Sequence, residues 1–483
     1  MPDVSQLLSW PVILALLAGT TWGVLLGCLP GITGLTALIM ALPLALSLDP
    51  IPALVLLISI HAVADTGGAV TAIALAIPGT PSNAATIEDG HALAKAGHLR
   101  RTVATAAFAS MLGGVLGFFL LCISLPLSLV LVKAAGAPEI FAISALGIVC
   151  AARLGSKSLS HGLASIGLGL FLGLIGTQQS TGIPRLWFSY EPLIDGLQLM
   201  AVATGLFAGP ELVRLIVGDS DATIHAANET KPLRNGIIDT FQRIPIVIKA
   251  SLVGWLVGLL PGVGGSVSGF LSYVWAGAAR PGERTIALRR DGVVAAEAGN
   301  NAKEGGDLIP TLAIGVPGGA GMAVLLGVFA TFGLMPGPTF ANQHPDIVAG
   351  LAAALLISNV LGGVMVMLGS RLLVRMLMLP RYALAAAGTV LACLGVVAIR
   401  GEIFDLWIAV IFCAAGLAMI RYGFSRPALL LGFVLAPIIE TYGAIAYKSY
   451  GLAFLLRPGV VIIALIAALI IFRGASALRV HSK

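Results

Sequence analysis

The sequence predicts an all-α polytopic membrane protein with roughly 12 transmembrane spans of about 20 residues each. Composition is the first observation. Of 483 residues, 58% are hydrophobic and only 10% are charged, against about 25% charged residues in an ordinary soluble domain. The second observation is a pair of Pro-Gly motifs that recur half a chain apart within apolar runs. The third is the distribution of Lys and Arg, which indicates that the two halves are inverted repeats.

The Pro-Gly motifs predict broken helices in each half. Segment 27–34 reads GCLPGITG and segment 258–265 reads GLLPGVGG, and a second pair reads IPGT at 77–80 and VPGG at 316–319. Proline removes a backbone donor and glycine permits unusual φ angles, so each motif interrupts a helix. Within a bilayer, broken backbone is tolerated only where it is buried in protein or lines a polar cavity. We therefore expect re-entrant Pro-Gly hairpins, and duplicated breaks of this kind point to a transporter's binding site.

The other apolar stretches predict the membrane spans. They fall near 103–131, 139–152, 158–176, 196–217, 348–370, 383–399, 403–420, 427–440 and 453–472. Around the breaks the expected segments are shorter, namely 11–29 with 35–47, 51–64 with 67–87, 245–260 with 266–279, and 292–334. Each pair of short segments is expected to form a broken span or a hairpin.

The basic loops orient the two halves in the membrane, because Lys and Arg are concentrated in cytoplasmic loops. In the first half, loop 47–52 has no basic residue, whereas loop 95–101 is basic. The second half reverses this order, with a basic loop at 280–290 and none of these residues at 335–347. Equivalent loops are therefore expected on opposite sides, with the N-terminus periplasmic and the C-terminus cytoplasmic.

The chain is predicted to contain three regions. Residues 1–217 form a first transmembrane repeat, residues 218–243 a polar cytoplasmic linker, and residues 244–483 a second transmembrane repeat. No soluble domain is expected. The net charge of +6 follows from the basic loops and requires no nucleic-acid partner.

Motifs in both halves resemble those of one transporter family. They are PGITG at 30–34, PGTPSN at 78–83, EAGNNA at 297–302 and IPTLAIGVPG at 309–318. With these motifs the chain resembles, nearly end to end, the large membrane subunit of the tripartite tricarboxylate transporters, the TctA-like family.

The resemblance implies a secondary transporter that takes up di- or tricarboxylates across a bacterial inner membrane. It also implies two protein partners, a small four-span membrane subunit and a periplasmic solute-binding protein. A Na⁺ or H⁺ gradient would drive uptake, and no cofactor is implied besides this coupling ion. The chain departs from the family pattern at His61, Asp65, Lys303 and Glu304, and again at 319–321.

Polar residues and glycines beside the breaks are the candidate substrate-binding residues. A carboxylate at membrane depth needs compensating donors, and N–H groups at broken helix ends supply them without a full positive charge. The candidates are Thr33, Gly34, Thr80, Ser82, Asn83, Gly264, Gly265, Ser266, Asn300 and Asn301. The alternative is that these residues only cap the broken backbone. Glu297 is expected at the cytoplasmic entry to its segment, as a functional acid or as a solvated helix end.

Asp65 and Glu304 are the candidate ion-coupling residues. When the second Pro-Gly motifs of the two halves are aligned, these acids occupy equivalent positions, each before a glycine-rich break. We expect at least one of them to bind Na⁺ or take up a proton. Asp65 is the better candidate, because no basic residue lies near it in the sequence. His61, one helical turn away, is expected to be able to share its proton. In the structural alternative, Lys303 neutralises one of the acids.

The sequence does not predict an enzyme. No GxSxG elbow, HExxH motif or phosphate-binding loop occurs. The five cysteines are scattered without metal-ligand spacing, so neither catalytic nor metal-binding residues are expected. The main alternative to a transporter is a passive anion channel, since opposed re-entrant loops also build pores.

Overall fold

The computed structural model describes residues 8–29, 32–77, 79–134, 136–154, 158–178, 181–217, 233–262, 264–276, 285–376 and 381–477. Almost all of these residues are helical. The strands in these ranges, β1 (Gly176–Thr177) and β2 (Pro184–Arg185), form one short antiparallel ladder in which Gly176 pairs with Arg185. The predicted all-α class is therefore confirmed.

The first half consists of helices, short turns and the two strands. Its helices are α1 (Trp10–Gly27), α2 (Gly34–Met40), α3 (Leu42–Leu46), α4 (Pro50–Leu75), α5 (Ala84–Leu93), α6 (Leu99–Ala134), α7 (Ala137–Leu154), α8 (Leu159–Gly173), α9 (Leu199–Ala203) and α10 (Gly209–Val217). A 3₁₀ turn, Pro81–Asn83, precedes α5, and wider π turns at Ala94–His98 and Thr204–Ala208 precede α6 and α10. Another 3₁₀ turn spans Glu191–Leu193.

The second half has a similar succession of helices. They are α11 (Arg234–Phe241), α12 (Ile244–Gly258), α13 (Gly264–Trp275), α14 (Ile286–Ile314), α15 (Ala320–Thr331), α16 (Phe340–Gln343), α17 (Pro345–Met376), α18 (Arg381–Arg400), α19 (Ile403–Tyr422), α20 (Arg426–Tyr450) and α21 (Pro458–Ala477). A 3₁₀ turn, Gly451–Leu456, joins the last two.

Several helices are long and apolar enough to cross a membrane. The described part of the chain has seven such segments, or eight if α11 and α12, bent by 73°, form one span. Five further apolar helices are shorter, at 10–17 residues. A multi-pass membrane protein is therefore confirmed, whereas roughly 12 spans of the usual length and the inverted orientation stay predictions.

Helices α4 and α14 form the centre of the molecule. Buried residues run along nearly their full lengths, from Pro52 to Ala74 and from Gly292 to Ala313. Helix α1 packs along α4, α12 and α6 pack along α14, and α17 contacts both α4 and α6. Small residues permit this close approach, as in membrane helix pairs generally. Gly254 of α12, for example, lies against the backbone of α14 where no side chain would fit.

The central helices end at the second Pro-Gly motif of each half. The residue that caps the end of α4, Ala76, has a φ angle of 55°, and the residue that caps the end of α14, Gly315, has a φ angle of 77°. Both residues are in the left-handed region, which reverses the chain direction after a helix. A Cβ on Gly79 would lie 2.7 Å from the Gly27 carbonyl oxygen, so the first break is held tightly against α1. Pro30, Gly31 and Pro78 are outside the described residues.

The predicted interruptions near Asp65 and within 292–334 are partly wrong in position. Helix α4 continues through Gly67 and Gly68, and α14 continues through Gly305 and Gly306. These glycines do not break a helix because other backbones pack against them: Gly67 meets α1 and Gly306 meets α12. The breaks occur instead at 76–80 and 315–319.

The end of the predicted linker is fastened to the helices around it. Residues 218–232 lie outside the described residues, while α11 packs on α6. Arg101 of α6 donates hydrogen bonds of 2.6 and 2.8 Å to Asp239 of α11, and Arg290 of α14 lies 3.4 Å from the same carboxylate. Because Asp239 is buried, this ion cluster fixes α11 against both halves.

The strand pair is fastened to α20. Arg185 donates two hydrogen bonds to the Glu440 carboxylate, and Gln178 donates a third at 3.1 Å. These hydrogen bonds from Arg185 to Glu440 raise the pKa of the Arg185 side chain. A two-pronged guanidinium–carboxylate contact is geometrically specific, so it sets the position of the loop over the helices.

Candidate functional site

A cavity of about 630 Å³ lies where the broken segments of the two halves meet. Six of the predicted site residues border it: Thr33, Gly34, Asp65, Thr80, Ser82 and Gly265. They come from α2, α4, the 3₁₀ turn and α13, which are the elements beside the breaks. The structure therefore brings together candidates from both halves around one space.

The 3₁₀ turn is stabilised by a reciprocal cap between Thr80 and Asn83. Asn83 Oδ1 accepts hydrogen bonds from the backbone N–H of Thr80 at 3.3 Å and from its hydroxyl at 2.8 Å. Asn83 Nδ2 donates to the Asp65 carbonyl at 2.9 Å and to Glu297 at 3.2 Å. Asn83 is fully buried, so its observed contacts fit the capping alternative, while Thr80 and Ser82 border the cavity.

Thr33 also acts as a helix cap in this structure. Its hydroxyl oxygen accepts a 3.2 Å hydrogen bond from the backbone N–H of Thr36, which satisfies one donor at the start of α2. Thr33, Gly34 and Leu35 all border the cavity. Capping and substrate contact are therefore compatible at Thr33.

Helix α13 brings the second-half hairpin to the same cavity. Gly264 begins the helix, and Gly265 borders the cavity beside Ser82. The lack of a side chain at Gly265 leaves room for both Ser82 and Asn300, whose Oδ1 lies 3.1 Å from a Cβ built there. The side chain of Ser266 lies outside the described residues, so its predicted contact stays a prediction.

Glu297 is inside the protein and not at a solvated helix end, which corrects that alternative of the sequence analysis. Its exposed fraction is 0%. The carboxylate accepts hydrogen bonds from Thr86 at 2.5 Å, Ser110 at 2.9 Å and Asn83 at 3.2 Å. Glu297 belongs to the second half and all three donors to the first. It therefore joins the halves next to the 3₁₀ turn.

Asn300 and Asn301 lie within continuous α14, not at its break. Asn301 Nδ2 is 2.9 Å from Thr66 Oγ1, 2.8 Å from Asn359 Oδ1 and 3.5 Å from the Ala62 carbonyl oxygen. Asn300 is equally buried, and neither of its side-chain polar atoms has a hydrogen-bond partner. Neither residue is among those that border the cavity.

A charged cluster lies beside the cavity and consists of His61, Lys303, Glu304 and Asp307, of which all but Glu304 border the cavity. Lys303 Nζ lies 2.6 Å from Glu304 and 3.4 Å from Asp307. His61 Nε2 lies 2.8 Å from the other Glu304 oxygen, an ion-pair contact whose angle is not that of a hydrogen bond. The cluster joins α4 to α14, and Lys303 neutralises Glu304 as the structural alternative expected.

Asp65 forms no ion pair within the charged cluster, although it lies near enough to interact electrostatically with Lys303. It borders the cavity and forms no ion pair with any residue in the described ranges. His61 precedes it by one turn of α4 but contacts Glu304 of the other half. The two predicted ion-coupling acids therefore have different surroundings, because only Glu304 has cationic groups within ion-pair distance.

Several cavity residues were not singled out by the sequence. Arg426, at the start of α20, borders the cavity and donates 3.1 Å hydrogen bonds to Glu211 and to the Leu206 carbonyl. Phe207, Met419, Ile420, Phe424 and Leu431 form an apolar wall. Asp307 borders it as well. The turn GFSRP at 423–427 was the available signal, since it breaks a long apolar region as the Pro-Gly motifs do.

Comparison with known proteins adds a family to this geometry. The sequence model of the tripartite tricarboxylate transporter TctA family matches residues 13–431. An uncharacterised 52.8 kDa protein in the TAR-I ttuC′ 3′ region of Agrobacterium vitis is 32% identical over 435 residues, which cover 88% of this chain and 84% of that protein. An uncharacterised protein in the TAR-II ttuC′ 3′ region of the same organism is 32% identical over 194 residues, 39% of this chain and 78% of that protein. No solved structure matches the chain significantly.

Proposed function

Because the chain belongs to the tripartite tricarboxylate transporter TctA family, we propose that it is the membrane-embedded large subunit of a binding-protein-dependent secondary transporter. Its substrates are di- or tricarboxylates, and a Na⁺ or H⁺ gradient drives their uptake. A small four-span membrane subunit and a periplasmic solute-binding protein complete the assembly. The subunit lies in a bacterial inner membrane, with the N-terminus periplasmic and the C-terminus cytoplasmic.

The observation that carries this proposal is the shared cavity. Thr33, Thr80 and Ser82 of the first half border it together with Gly265 of the second half. Hydroxyl groups and broken backbone are suitable donors for a carboxylate in a region where a full charge is costly. Lys303 and Arg426 border the same cavity, each paired with acidic side chains. A carboxylate bound here contacts both halves, as alternating access requires.

Matched packing supports two repeats related by a pseudo-two-fold axis. The contacts between α1 and α4 recur between α12 and α14. To match them, positions in α1 are advanced by 231 residues, the separation of Pro30 and Pro261. Positions in α4 are advanced by 239 residues, the separation of Pro78 and Pro317. Three contacts between these helices match: Gly23 against Ile60 matches Gly254 against Gly299, Gly27 against Ala64 matches Gly258 against Lys303, and Gly67 against Val24 matches Gly306 against Trp255. After the central helices, the contact of Gly79 with Gly68 matches that of Gly318 with Asp307.

Contacts between the halves support the same relation. Helix α6 of the first half packs on α14, and α17 of the second half packs on α4. Asn301 contacts the carbonyl of Ala62, which precedes it by 239 residues. In a two-fold arrangement a residue meets its own equivalent only near the axis. The axis of the proposed repeats therefore passes between α4 and α14, beside the cavity.

Asp65 is the proposed coupling residue. It borders the cavity with no cationic side chain of the described residues within ion-pair distance, so an Na⁺ ion or a proton is able to contact its carboxylate directly. Glu304 is less suited, because Lys303 and His61 already surround its carboxylate. Coupling through Asp65 links cation binding to the space in which the substrate binds.

Accumulation against a gradient tests the function and separates it from the passive channel. Proteoliposomes that contain the three-component system should accumulate radiolabelled di- or tricarboxylates above the external concentration when a Na⁺ or pH gradient is imposed. Equilibration without accumulation would identify a channel.

Asp65→Asn should equilibrate substrate without accumulating it, while still docking the binding protein. Glu304→Gln should have a smaller effect. Wild-type accumulation in Asp65→Asn would remove its coupling role.

A further inference from the structure

The charged cluster has the arrangement of a cation site that is already filled. His61 Nε2 and one carboxylate oxygen each of Glu304 and Asp307 lie within 4.8 Å of one another, close enough to surround one cation. The Lys303 ammonium is bound to both carboxylates, at 2.6 and 3.4 Å. Lys303 is only 4% exposed. Buried acids are costly without a nearby positive charge, and here the chain itself supplies that charge.

The equivalent positions of the first half lack such a built-in charge. The residues 239 positions before Lys303 and Glu304 are Ala64 and Asp65. Ala64 has no charge to offer, and Asp65 has no ion-pair partner in the described residues. Asp65 also borders the cavity, whereas Glu304 does not. One of two matched positions therefore has an acid with a fixed cation, and the other has an acid without one.

By the same alignment, Asn300 is the second residue of the open position. It is the residue 239 positions after His61, which contacts Glu304 in the filled position. Asn300 is 1% exposed, and both polar atoms of its side chain lack a hydrogen-bond partner. A buried amide without partners loses about 1–3 kcal/mol, so a ligand is expected there. An amide oxygen does not take up a proton but does coordinate hard cations, which favours Na⁺ over H⁺.

We propose that Lys303 is a built-in cation that permanently fills one of two matched cation positions. Only the other position, at Asp65 and Asn300, takes a mobile Na⁺ ion. This inference rests on the proposed transporter function and specifies its coupling. One Na⁺ ion, not two, then binds per protein chain, and the charge at Glu304 and Asp307 is independent of the Na⁺ concentration.

Removal of the Lys303 ammonium tests the proposal on the purified full-length protein. Thermal unfolding is measured over a series of NaCl concentrations, with choline chloride holding ionic strength constant. Wild type should be stabilised by Na⁺ along a one-site curve. Lys303→Ala should be less stable without Na⁺ and should gain a second Na⁺-dependent rise in the unfolding temperature. At saturating Na⁺, the free energy of unfolding should rise with the logarithm of the Na⁺ concentration about twice as steeply in Lys303→Ala as in wild type, because two ions are then bound and not one.

Matched variants separate this effect from general damage. Lys303→Arg should retain the wild-type Na⁺ curve, and Lys303→Ala with Glu304→Gln should lose the second rise. Lys249→Ala removes an exposed lysine elsewhere and should behave as wild type. If Lys303→Ala does not fold, the Na⁺ curve of Glu304→Gln alone tests the proposal, because this curve should equal that of wild type.

Three outcomes would overturn the proposal. The first is an unchanged Na⁺ response in Lys303→Ala, and the second is loss of the wild-type response in Glu304→Gln. The third is a wild-type protein that does not respond to Na⁺, which would remove the mobile site at Asp65 and Asn300. Failure of carboxylate uptake would instead contradict the proposed function. The two failures are distinguishable, because the Na⁺ binding curves are measured without substrate.

Discussion

Glu297 shows, at the residue scale, how one buried side chain joins the two halves. It lies on α14 and accepts hydrogen bonds from Asn83, Thr86 and Ser110 of the first half. Buried side-chain hydrogen bonds of this kind hold the elements that they join in one arrangement. Asn83 in turn caps the 3₁₀ turn beside the cavity. Glu297 therefore holds the first-half break in position without bordering the cavity itself.

We expect Glu297→Gln to destabilise the protein. The glutamine amide retains one acceptor oxygen, for Asn83 or Thr86. Its NH₂ group replaces the carboxylate oxygen that accepts a hydrogen bond from the Ser110 hydroxyl. The buried Ser110 hydroxyl then lacks its acceptor, which should lower the free energy of unfolding by about 1–3 kcal/mol. The unfolding temperature of the purified protein measures the effect. Glu191→Gln, at an exposed loop position, is the matched control and should leave it unchanged. An unaltered unfolding temperature in Glu297→Gln would show that its hydrogen bonds contribute little.

The residue types at the site were predictable, but their partners were not. The sequence marks Asp65, Glu304 and Lys303 because charges in apolar segments are rare and costly. It does not show that His61 pairs with Glu304 and not with Asp65, since that contact depends on how α4 packs beside α14. The burial of Glu297 has the same origin, because its donors belong to three distant segments.

At the element scale, helix bounds follow the apolar pattern while the breaks follow backbone packing. The expected span 403–420 corresponds to α19 and the span 348–370 lies within α17. The expected interruption before Gly67 is absent, since this glycine serves the close contact between α4 and α1. A glycine in a sequence is compatible with either role, and only the neighbouring helix decides between them.

Gly79→Ala tests whether the first break needs a residue without a side chain. The added Cβ would lie 2.7 Å from the Gly27 carbonyl oxygen and 2.8 Å from that of Gly68, and both are backbone atoms that cannot rotate away. We expect a loss of about 1–3 kcal/mol in unfolding free energy, as for other overpacked sites, together with reduced uptake. Gly167→Ala in α8 is the control, because a Cβ there meets nothing within 4 Å. It should be neutral or stabilising by up to about 1 kcal/mol. Equal behaviour of the two variants would contradict the tight break.

At the scale of the whole molecule, the two halves are proposed to have opposite orientations in the membrane. The distribution of basic residues predicts that segment 280–290 is cytoplasmic and segment 335–347 periplasmic. Asn342→Cys should therefore react with a membrane-impermeant thiol reagent applied from the periplasm, whereas Thr285→Cys should not. Both positions are exposed in the structure. Permeabilised cells are the control, in which both cysteines should react. Labelling of both from the periplasm in intact cells would end the inverted-repeat proposal.

Protection of one cysteine by substrate tests the central claim, that carboxylates bind in the cavity between the broken segments, most directly. Ser82→Cys is introduced into a protein whose native cysteines, Cys28, Cys122, Cys150, Cys393 and Cys413, have been replaced. Ser82 borders the cavity, and Ser47→Cys provides an exposed control away from it. Di- or tricarboxylates should slow the reaction of Ser82→Cys with a small thiol reagent and leave that of Ser47→Cys unchanged. If a carboxylate that the system transports leaves the labelling rate at Ser82→Cys unaltered, substrate does not bind in this cavity.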